Sequence, residues 1–227
     1  MNAKATTAPA RAPHHRTAIG QLQRAQTRAR IIECAIAVFA EHGPDVPVVD
    51  DFVKAAGIAR GTFYNYFQTT RELLQATLET LSDELIESVV PVVQDMTNPV
   101  MRLATAARIY YRKATTDPLF GAFLSSVSSV GTLASEHMRA DLEEALQAGL
   151  IAVPDVEFAH AVATGVMVFA LQSPQAREGG DARALAVVRA ILAGLGVSNS
   201  LIDEALKVTL PELMETPRSM RPVVEPG

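Results

Sequence analysis

From about residue 21 onward, apolar side chains recur at the three- and four-residue spacing of an amphipathic helix, and no alternating strand pattern appears. The first predicted helix covers residues 21–42, and Gly43 and Pro44 end it. Its apolar face consists of Ile32, Ala35, Ile36 and Phe39. This pattern predicts a helix with one side buried against neighbouring elements.

Two short helices and then a longer one are predicted next. Pro47 suits the first turn of a short helix that stops at Gly57, and residues 59–66 form the following one. The longer helix begins near Thr69. Later helix starts are marked by residues that cap N-termini, each close to a proline or glycine: Asn98, Asp117, Asp155, Asp181 and Ser198. The chain is therefore predicted to be all-α, with nine or ten helices.

The two short helices form a candidate helix-turn-helix within residues 50–74. Gly57 can adopt the left-handed conformation of a tight turn, while Phe63 and Phe67 can pack inward. The second helix then presents polar side chains and no acid, which suits entry into the major groove of DNA. These outward residues are Arg60, Thr62, Tyr64, Asn65 and Tyr66. Many helical proteins contain this shape without binding DNA, so the residues alone leave that alternative open.

Charge is distributed unevenly along the chain. The formal net charge of −5 by itself points away from nucleic acid. Residues 1–71, however, carry nine Lys and Arg against five Asp and Glu, whereas residues 72–227 carry eleven against twenty. A basic head on an acidic body favours a chain that approaches nucleic acid with one end, although a solvated basic tail explains the same asymmetry.

Composition excludes several other classes of protein. The single Cys, Cys34, rules out a disulfide framework and suits a reducing cytoplasm. The longest apolar run, residues 161–171, is too short to span a bilayer, so we expect no membrane partner. The His residues lack metal-ligand spacing, and the serines of residues 125–129 have no His or acid placed to activate them. We therefore predict no metal, no cofactor and no enzymatic activity.

Residues 56–67, with the sequence AGIARGTFYNYF, and residues 71–74, RELL, resemble the signature of TetR/AcrR-type transcriptional regulators. The resemblance extends over about residues 28–78, and beyond it only the length and the helical character agree. It implies an N-terminal three-helix helix-turn-helix DNA-binding domain, followed by a larger helical ligand-binding and dimerisation domain. Upstream, the pattern of the family's first helix is matched by Arg30, Ile31, Ile32, Ala35, Phe39 and Gly43.

The resemblance also implies which residues contact DNA. Arg60 is the residue expected to specify a base, because its guanidinium matches the two major-groove acceptors of guanine. The helix that starts at Thr69 is expected to bind a phosphate with its N-terminal amides. The full set of expected DNA contacts is Arg60, Gly61, Thr62, Tyr64, Asn65, Tyr66, Thr69 and Arg71.

Four positions depart from the family's pattern. Pro47 and Val48 stand where a Thr or Ser usually caps the first helix of the motif, and Thr70 replaces a common Lys. Asp50 places an acid where it is expected to face the DNA backbone unfavourably. We expect these changes to weaken DNA affinity, because phosphate contacts supply most non-specific binding. Arg71 is one expected compensation, and the others are the N-terminal arginines Arg11, Arg16, Arg24, Arg28 and Arg30.

Two late helices are expected to form the interface of a homodimer, since a two-fold protein fits a palindromic site. Burial within one monomer is the alternative interpretation of the same apolar stripes. The expected interface residues are Val162, Val166, Phe169, Leu185, Val188, Ile191, Leu192 and Leu195.

An effector pocket is implied between the DNA-binding domain and the dimer bundle. Arg108 and His137 are the groups expected to fix a polar part of the effector, although residues at such spacing also suit an ordinary core. The absence of Trp favours a small, largely apolar effector. The candidate lining residues are Met101, Arg108, Tyr110, Tyr111, Phe120, Phe123, His137, Met138 and Met167.

The chain is predicted to have four parts. A flexible basic arm covers residues 1–20 and the DNA-binding domain covers residues 21–68. The effector-binding and dimerisation domain covers residues 69–211, and a frayed tail covers residues 212–227. The predicted function is a DNA-binding transcriptional regulator in the cytoplasm, a repressor that binds a double-stranded operator as a dimer and is released by a small-molecule effector. The alternative is a helical small-molecule-binding or protein-interaction module with a weakened DNA-binding head.

Overall fold

The computed structural model describes residues 13–126 and 130–210, and over these ranges it contains ten α-helices and no strand. The predicted all-α class is confirmed. The helices are α1 (Pro13–His42), α2 (Val49–Ala56), α3 (Arg60–Tyr64), α4 (Thr70–Val93), α5 (Pro99–Thr116), α6 (Pro118–Ser126), α7 (Thr132–Gln147), α8 (Val156–Gln172), α9 (Gly180–Gly194) and α10 (Asn199–Leu206).

The N-terminal boundary differs from the expectation, because α1 begins at Pro13 rather than near residue 21. Residues 13–20, expected in the flexible arm, are helical. Proline suits the first helical position, and the Ala, Gln and Arg residues that follow are good helix formers. The first part of the expected arm, residues 1–12, and the expected frayed tail, residues 212–227, lie outside the described residues.

The first three helices pack around a small aromatic core. Phe39 of α1 meets Phe52 of α2 with ring centroids 5.0 Å apart, and Phe52 stacks on Phe63 of α3 at 6.4 Å. Gly57 joins α2 to α3 with a φ of 59°, the left-handed conformation that the turn requires. Phe67 closes the core from the C-terminal side of α3 and is also buried. The helix-turn-helix geometry predicted from the sequence is present.

Side-chain caps define most later helix starts. The Asn98 carboxamide accepts from the Val100 N–H at 2.9 Å, and the Asp155 carboxylate accepts from the Phe158 N–H at 2.7 Å. Asp117 and Ser198 cap α6 and α10 in the same way. The predicted cap at Asp181 is wrong. Gly179 is the N-cap of α9 and Asp181 lies in the first turn, where its charge favours the positive helix end.

The central helix of the larger domain is α5, which contacts every other helix from α4 to α10. The DNA-binding domain is joined to this body by contacts of α1 with α4 and by an edge-to-face contact between Phe39 and Phe123 of α6, with centroids 5.4 Å apart. Within the described part of the chain, no helix has the length and apolarity needed to cross a membrane.

Candidate DNA-binding surface and effector pocket

Helix α3 separates its packing side chains from its polar ones. Phe63 is fully buried and Phe67 is 1% exposed, so the helix is held firmly on the domain core. The predicted DNA contacts on α3 and in the residues that follow it are accessible to solvent: Arg60, Gly61, Tyr64, Asn65, Thr69 and Arg71 are exposed, and Thr62 and Tyr66 are half-exposed. A five-residue helix with no acid of its own thus presents donors to solvent.

Arg60 has a defined orientation within this surface. Its Nη1 donates to Oδ1 of Asp50 at 2.8 Å, and its guanidinium lies 6.0 Å from the ring centroid of Tyr64. Hydrogen bonding to Tyr64, together with the nearby Asp50 carboxylate, raises the pKa of Arg60. Because Arg60 and Asp50 are both mainly exposed, the pair adds little to stability but gives the guanidinium a preferred direction.

Two of the arginines expected to strengthen DNA binding, Arg24 and Arg28 of α1, contact the residues that follow α3. Arg24 Nη2 donates to the Asn65 carbonyl at 3.3 Å, and its guanidinium lies 5.8 Å from the Tyr66 ring centroid. Arg28 lies over Phe67 at 5.3 Å. The available signal was their four-residue spacing, which places both side chains on one face of a helix.

The two helix starts near this surface are capped by carboxylates. The Val48 N–H donates to Asp51 Oδ2 at 2.8 Å, which satisfies the N–H of the N-cap residue, while Val48 has no side-chain oxygen to accept from the first turn of α2. At α4, the Thr69 hydroxyl accepts from the Glu72 N–H at 3.1 Å, and Glu72 accepts from the Gln68 N–H at 2.7 Å. This reciprocal arrangement is a capping box, and it commits the Thr69 hydroxyl to the helix start.

A cavity of about 330 Å³ lies inside the larger domain, enclosed by α4, α5, α7, α8 and α9. Four of the nine predicted effector residues line it: Tyr110, His137, Met138 and Met167. The remainder of the wall is mostly aliphatic, with several alanines that leave room at the centre.

Five predicted effector residues do not line this cavity, which corrects that part of the prediction. Arg108 donates to the Val208 carbonyl at 2.6 Å, and the Tyr111 hydroxyl donates to the Ala176 carbonyl at 3.0 Å. Helical spacing indicated that Arg108 and Tyr111 lie on buried sides of α5, but it did not indicate which neighbouring element each side contacts. The five residues outside the cavity wall are Met101, Arg108, Tyr111, Phe120 and Phe123.

One end of the cavity carries a polar cluster that sequence reasoning missed. Arg102 Nε donates to Asp141 Oδ1 at 2.7 Å, and its Nη2 also binds Glu144. His137 lies one helical turn before Asp141 on α7 and lines the same cavity. Burial raises the pKa of Asp141, and the hydrogen bond from Arg102 partly offsets this. The eight-residue separation of Arg102 from Tyr110 was the available signal, since such residues lie near one face of a helix.

The opposite end of the cavity is closed by Tyr110. Its hydroxyl donates to the Val130 carbonyl at 2.9 Å and lies 3.2 Å from Ser82 Oγ. Burial raises the pKa of Tyr110, so the phenol stays protonated. Its ring packs edge-on against Phe120 of α6, with centroids 5.5 Å apart.

The predicted dimer residues divide between two environments. On α8, Phe169 is 75% exposed and Val162 and Val166 are half-exposed, and Leu185 of α9 is half-exposed as well. The other residues predicted for the interface on α9 are buried inside the monomer, where α9 packs against α5 and α8, and this corrects the prediction for them. The buried residues are Val188, Ile191, Leu192 and Leu195.

An apolar face on α8 and α9 is nevertheless exposed. On α8 it follows the helical positions Phe158, Ala161, Val162, Gly165 and Phe169. On α9 it consists of the small residues Ala182, Ala186, Ala193 and Gly194. A Cβ added to Gly194 would meet Val162 Cγ1 at 3.2 Å, so the two helices are closely packed where these stripes meet. We call this surface the α8/α9 face.

Metal chemistry finds no support in the parts of the chain that the structure describes. Over residues 13–126 and 130–210, no group of three or more His, Cys, Asp or Glu side chains is arranged to hold a metal ion.

The helix α3 presents polar side chains from a three-helix unit with a buried core, and this unit is attached to a helical body that contains a cavity. This architecture is typical of helix-turn-helix transcriptional regulators. The family model described as "Bacterial regulatory proteins, tetR family" matches residues 31–77. The regulator YvdT of Bacillus subtilis is 38% identical over 60 residues, 26% of this chain and 31% of that protein. The repressor KstR2 of Mycobacterium tuberculosis is 33% identical over 76 residues, 34% and 38% of the two chains. The chain thus spans about a third of the length of these curated relatives.

Solved structures extend the similarity beyond the N-terminal domain. The structure of RolR in complex with resorcinol covers 86% of this chain and 100% of its own, with 28% identity and a TM-score of 0.75. A TetR-family regulator from Pectobacterium atrosepticum has the same fold, at 23% identity and a TM-score of 0.60, and covers 78% of this chain and 97% of its own. The N-terminal resemblance is confirmed by the match to the TetR family model, and the chain has the fold of TetR-family regulators; the relatives that match it are named regulators rather than enzymes.

Proposed function

We propose that the protein is a cytoplasmic repressor that binds a palindromic operator as a homodimer and is released by a small-molecule effector. The observation that carries the proposal is the division of α3 into a buried aromatic side and an exposed donor-rich side. Arg60, oriented by Asp50 and Tyr64, is the residue that reads a base, because its two-donor edge matches guanine.

The α8/α9 face supports the dimer. It places Phe169, a large and mainly exposed apolar side chain, next to a stripe of small residues on α9 that allows close helix approach. A two-fold contact through this face would form a four-helix bundle from two protomers and leave both reading helices free. Exposed apolar faces rimmed by polar residues mark interaction sites in soluble proteins.

The internal cavity supports an effector. Its volume falls at the lower end of the range of small-molecule sites, and its wall combines an apolar interior with a few polar groups at one end. The similarity to RolR, whose structure holds resorcinol, agrees with a small organic ligand.

A series of packed aromatic rings connects this cavity to α3. Tyr110 in the cavity wall contacts Phe120, and Phe123, one turn further along α6, contacts Phe39. Phe39 then contacts Phe52, which stacks on the Phe63 anchor of α3. If the effector changes the position of α6, these contacts would transmit the movement to α3 in each protomer. Operator affinity falls when the effector binds better to a dimer with the wrong helix separation.

The proposal is tested by fluorescence anisotropy with DNA from upstream of the protein's own gene and with random duplex, over a series of salt concentrations. We expect tight binding to the upstream DNA, with an affinity that falls steeply as salt rises. Arg60→Ala should lose most of the preference for that DNA, whereas Arg177→Ala, which removes an exposed charge far from α3, should retain it. Equal binding of the wild type to both DNAs would instead favour the module with a weakened DNA-binding head.

A further inference from the structure

The cavity has one chemically distinct end, and its contacts indicate what the ligand must carry there. Arg102 and Tyr110 are eight residues apart on α5, so the two ends are separated by about 12 Å. The volume of about 330 Å³ is roughly twice that of an engineered apolar cavity that accepts benzene. A single ring bearing a short apolar chain therefore fits along the cavity.

At the far end, the hydroxyl proton of Tyr110 is not available to the ligand. Tyr110 has one hydroxyl proton, and it is donated to the Val130 carbonyl. Ser82 is the other partner of that hydroxyl and is itself fully buried. Around them the wall is aliphatic, so this end takes an apolar part of the ligand.

The polar end offers the carboxylate acceptors of Asp141 and Glu144, and the cavity wall also holds Gln94 and His137, whose side chains can donate or accept. Arg102 directs its donors to Asp141, Glu144 and the carbonyls of Met96 and Thr97. Four of its five N–H groups are thereby engaged, so it is a poor site for an anionic ligand. The Asp141 carboxylate accepts one bond from Arg102 and, like any ionised carboxylate, has further acceptor capacity.

Charge at this end disfavours ionised ligands of either sign. A carboxylate would approach Asp141 and Glu144 in a partly buried site, where like charges repel strongly. A cation would enter beside the Arg102 guanidinium, which lies in the same partly buried cluster and repels it. Glu144, the second partner of Arg102, is about half exposed, so solvent screens its charge.

We propose that the effector is an uncharged, mainly apolar compound with one hydroxyl group, and that this hydroxyl donates to Asp141 at the polar end of the cavity. The inference rests on the proposed function for the role of the cavity, but the binding chemistry is independent of DNA. Carboxylic acids and acyl thioesters with charged head groups are excluded as effectors.

A matched set of four probes tests the head group while keeping the apolar part constant: 4-butylphenol, 4-butylanisole, 4-butylbenzoate and 4-butylbenzylamine. Calorimetric titration and melting temperature are measured near neutral pH without DNA. We expect the phenol to bind about tenfold or more tighter than the anisole, because a hydrogen bond to a charged acceptor is lost. The benzoate and the amine should bind weaker than the phenol by at least the same factor. Equal or tighter binding of either ion, or no binding of the phenol, would overturn the proposal.

Two variants test whether the hydroxyl of the ligand binds Asp141. Asp141→Asn should weaken phenol binding about tenfold and reduce the discrimination against the benzoate, whereas Glu143→Gln, which changes an exposed acid of the same helix outside the cavity wall, should retain both. Melting without probe checks that each variant is folded, and if Asp141→Asn is not, the wild-type ranking of the four head groups decides alone. A protein that binds its upstream DNA but ranks the probes differently refutes only the ligand class. One that ranks them as expected but shows no DNA preference refutes only the repressor.

Discussion

Replacing Phe169 by alanine should weaken self-association, because this side chain is the largest exposed apolar group of the α8/α9 face. It is 75% exposed in the monomer, and its neighbours along α8, Val162 and Gly165, are only partly covered. In the proposed dimer each protomer buries its own Phe169 against small residues of the partner helices.

The size of the effect follows from the area still open to water. Complete burial of a Phe side chain is worth about 1.5–3 kcal/mol, and most of that area remains to be buried. Two symmetry-related copies give a total of about 2–4 kcal/mol, which corresponds to a roughly 30- to 1,000-fold increase in the dimer dissociation constant.

Sedimentation equilibrium over a wide range of protein concentrations measures that constant directly. Val46→Ala is the matched control, since Val46 is 71% exposed but lies beside the helix-turn-helix, and it should leave the constant unchanged. Val162→Arg adds a charge to the centre of the same face and should favour monomers further. If Phe169→Ala and Val162→Arg both associate like the wild type, the α8/α9 face is not the dimer interface.

Three further predictions address other parts of the chain. Arg60→Ala should lower operator affinity roughly tenfold and relax specificity at one base pair, measured with single-base operator variants; a uniform loss across all sequences would contradict base reading. Phe123→Ala should reduce the free energy of unfolding in urea by about 3–5 kcal/mol, because it removes a buried ring that packs on Phe39, and a loss below about 1 kcal/mol would refute that contact. Burial lowers the pKa of His160, so its neutral form is favoured on folding and stability should fall as the pH drops below about 6.5. Melting temperatures of the wild type and His160→Gln, measured between about pH 5 and 8, should differ by a constant amount above about pH 6.5, and below it the wild type should lose more stability than the variant. Parallel curves throughout would refute the role of His160.

Short-range patterns in the sequence were sufficient to predict the helices and the buried and exposed residues of α3. Gly57 adopts the positive φ that the turn demanded, and Phe63 and Phe67 are buried while Arg60 and Tyr64 are exposed. These features depend on neighbours within a few residues along the chain, so periodicity and turn chemistry were able to predict them.

The partners of the acidic residues near α3 could not be predicted from neighbouring residues in the sequence. Asp50 pairs with Arg60 across the turn, and Asp51 accepts from the N–H of Val48 at the start of α2. The sequence showed that a capping Thr or Ser was absent, but the partner of each carboxylate depended on how α2 and α3 are arranged in space.

The amino-acid sequence by itself determined the all-helical class, the helix-turn-helix and the family. Tertiary structure decided which apolar stripe faces the protein's own core and which faces outward, as the buried Leu192 of α9 and the exposed Phe169 of α8 show. It also decided that Arg102 and Asp141 meet at the end of a cavity, although they are 39 residues apart. The physical reason is that helical periodicity specifies which side of a helix is apolar, whereas the packing of several helices together specifies what covers that side.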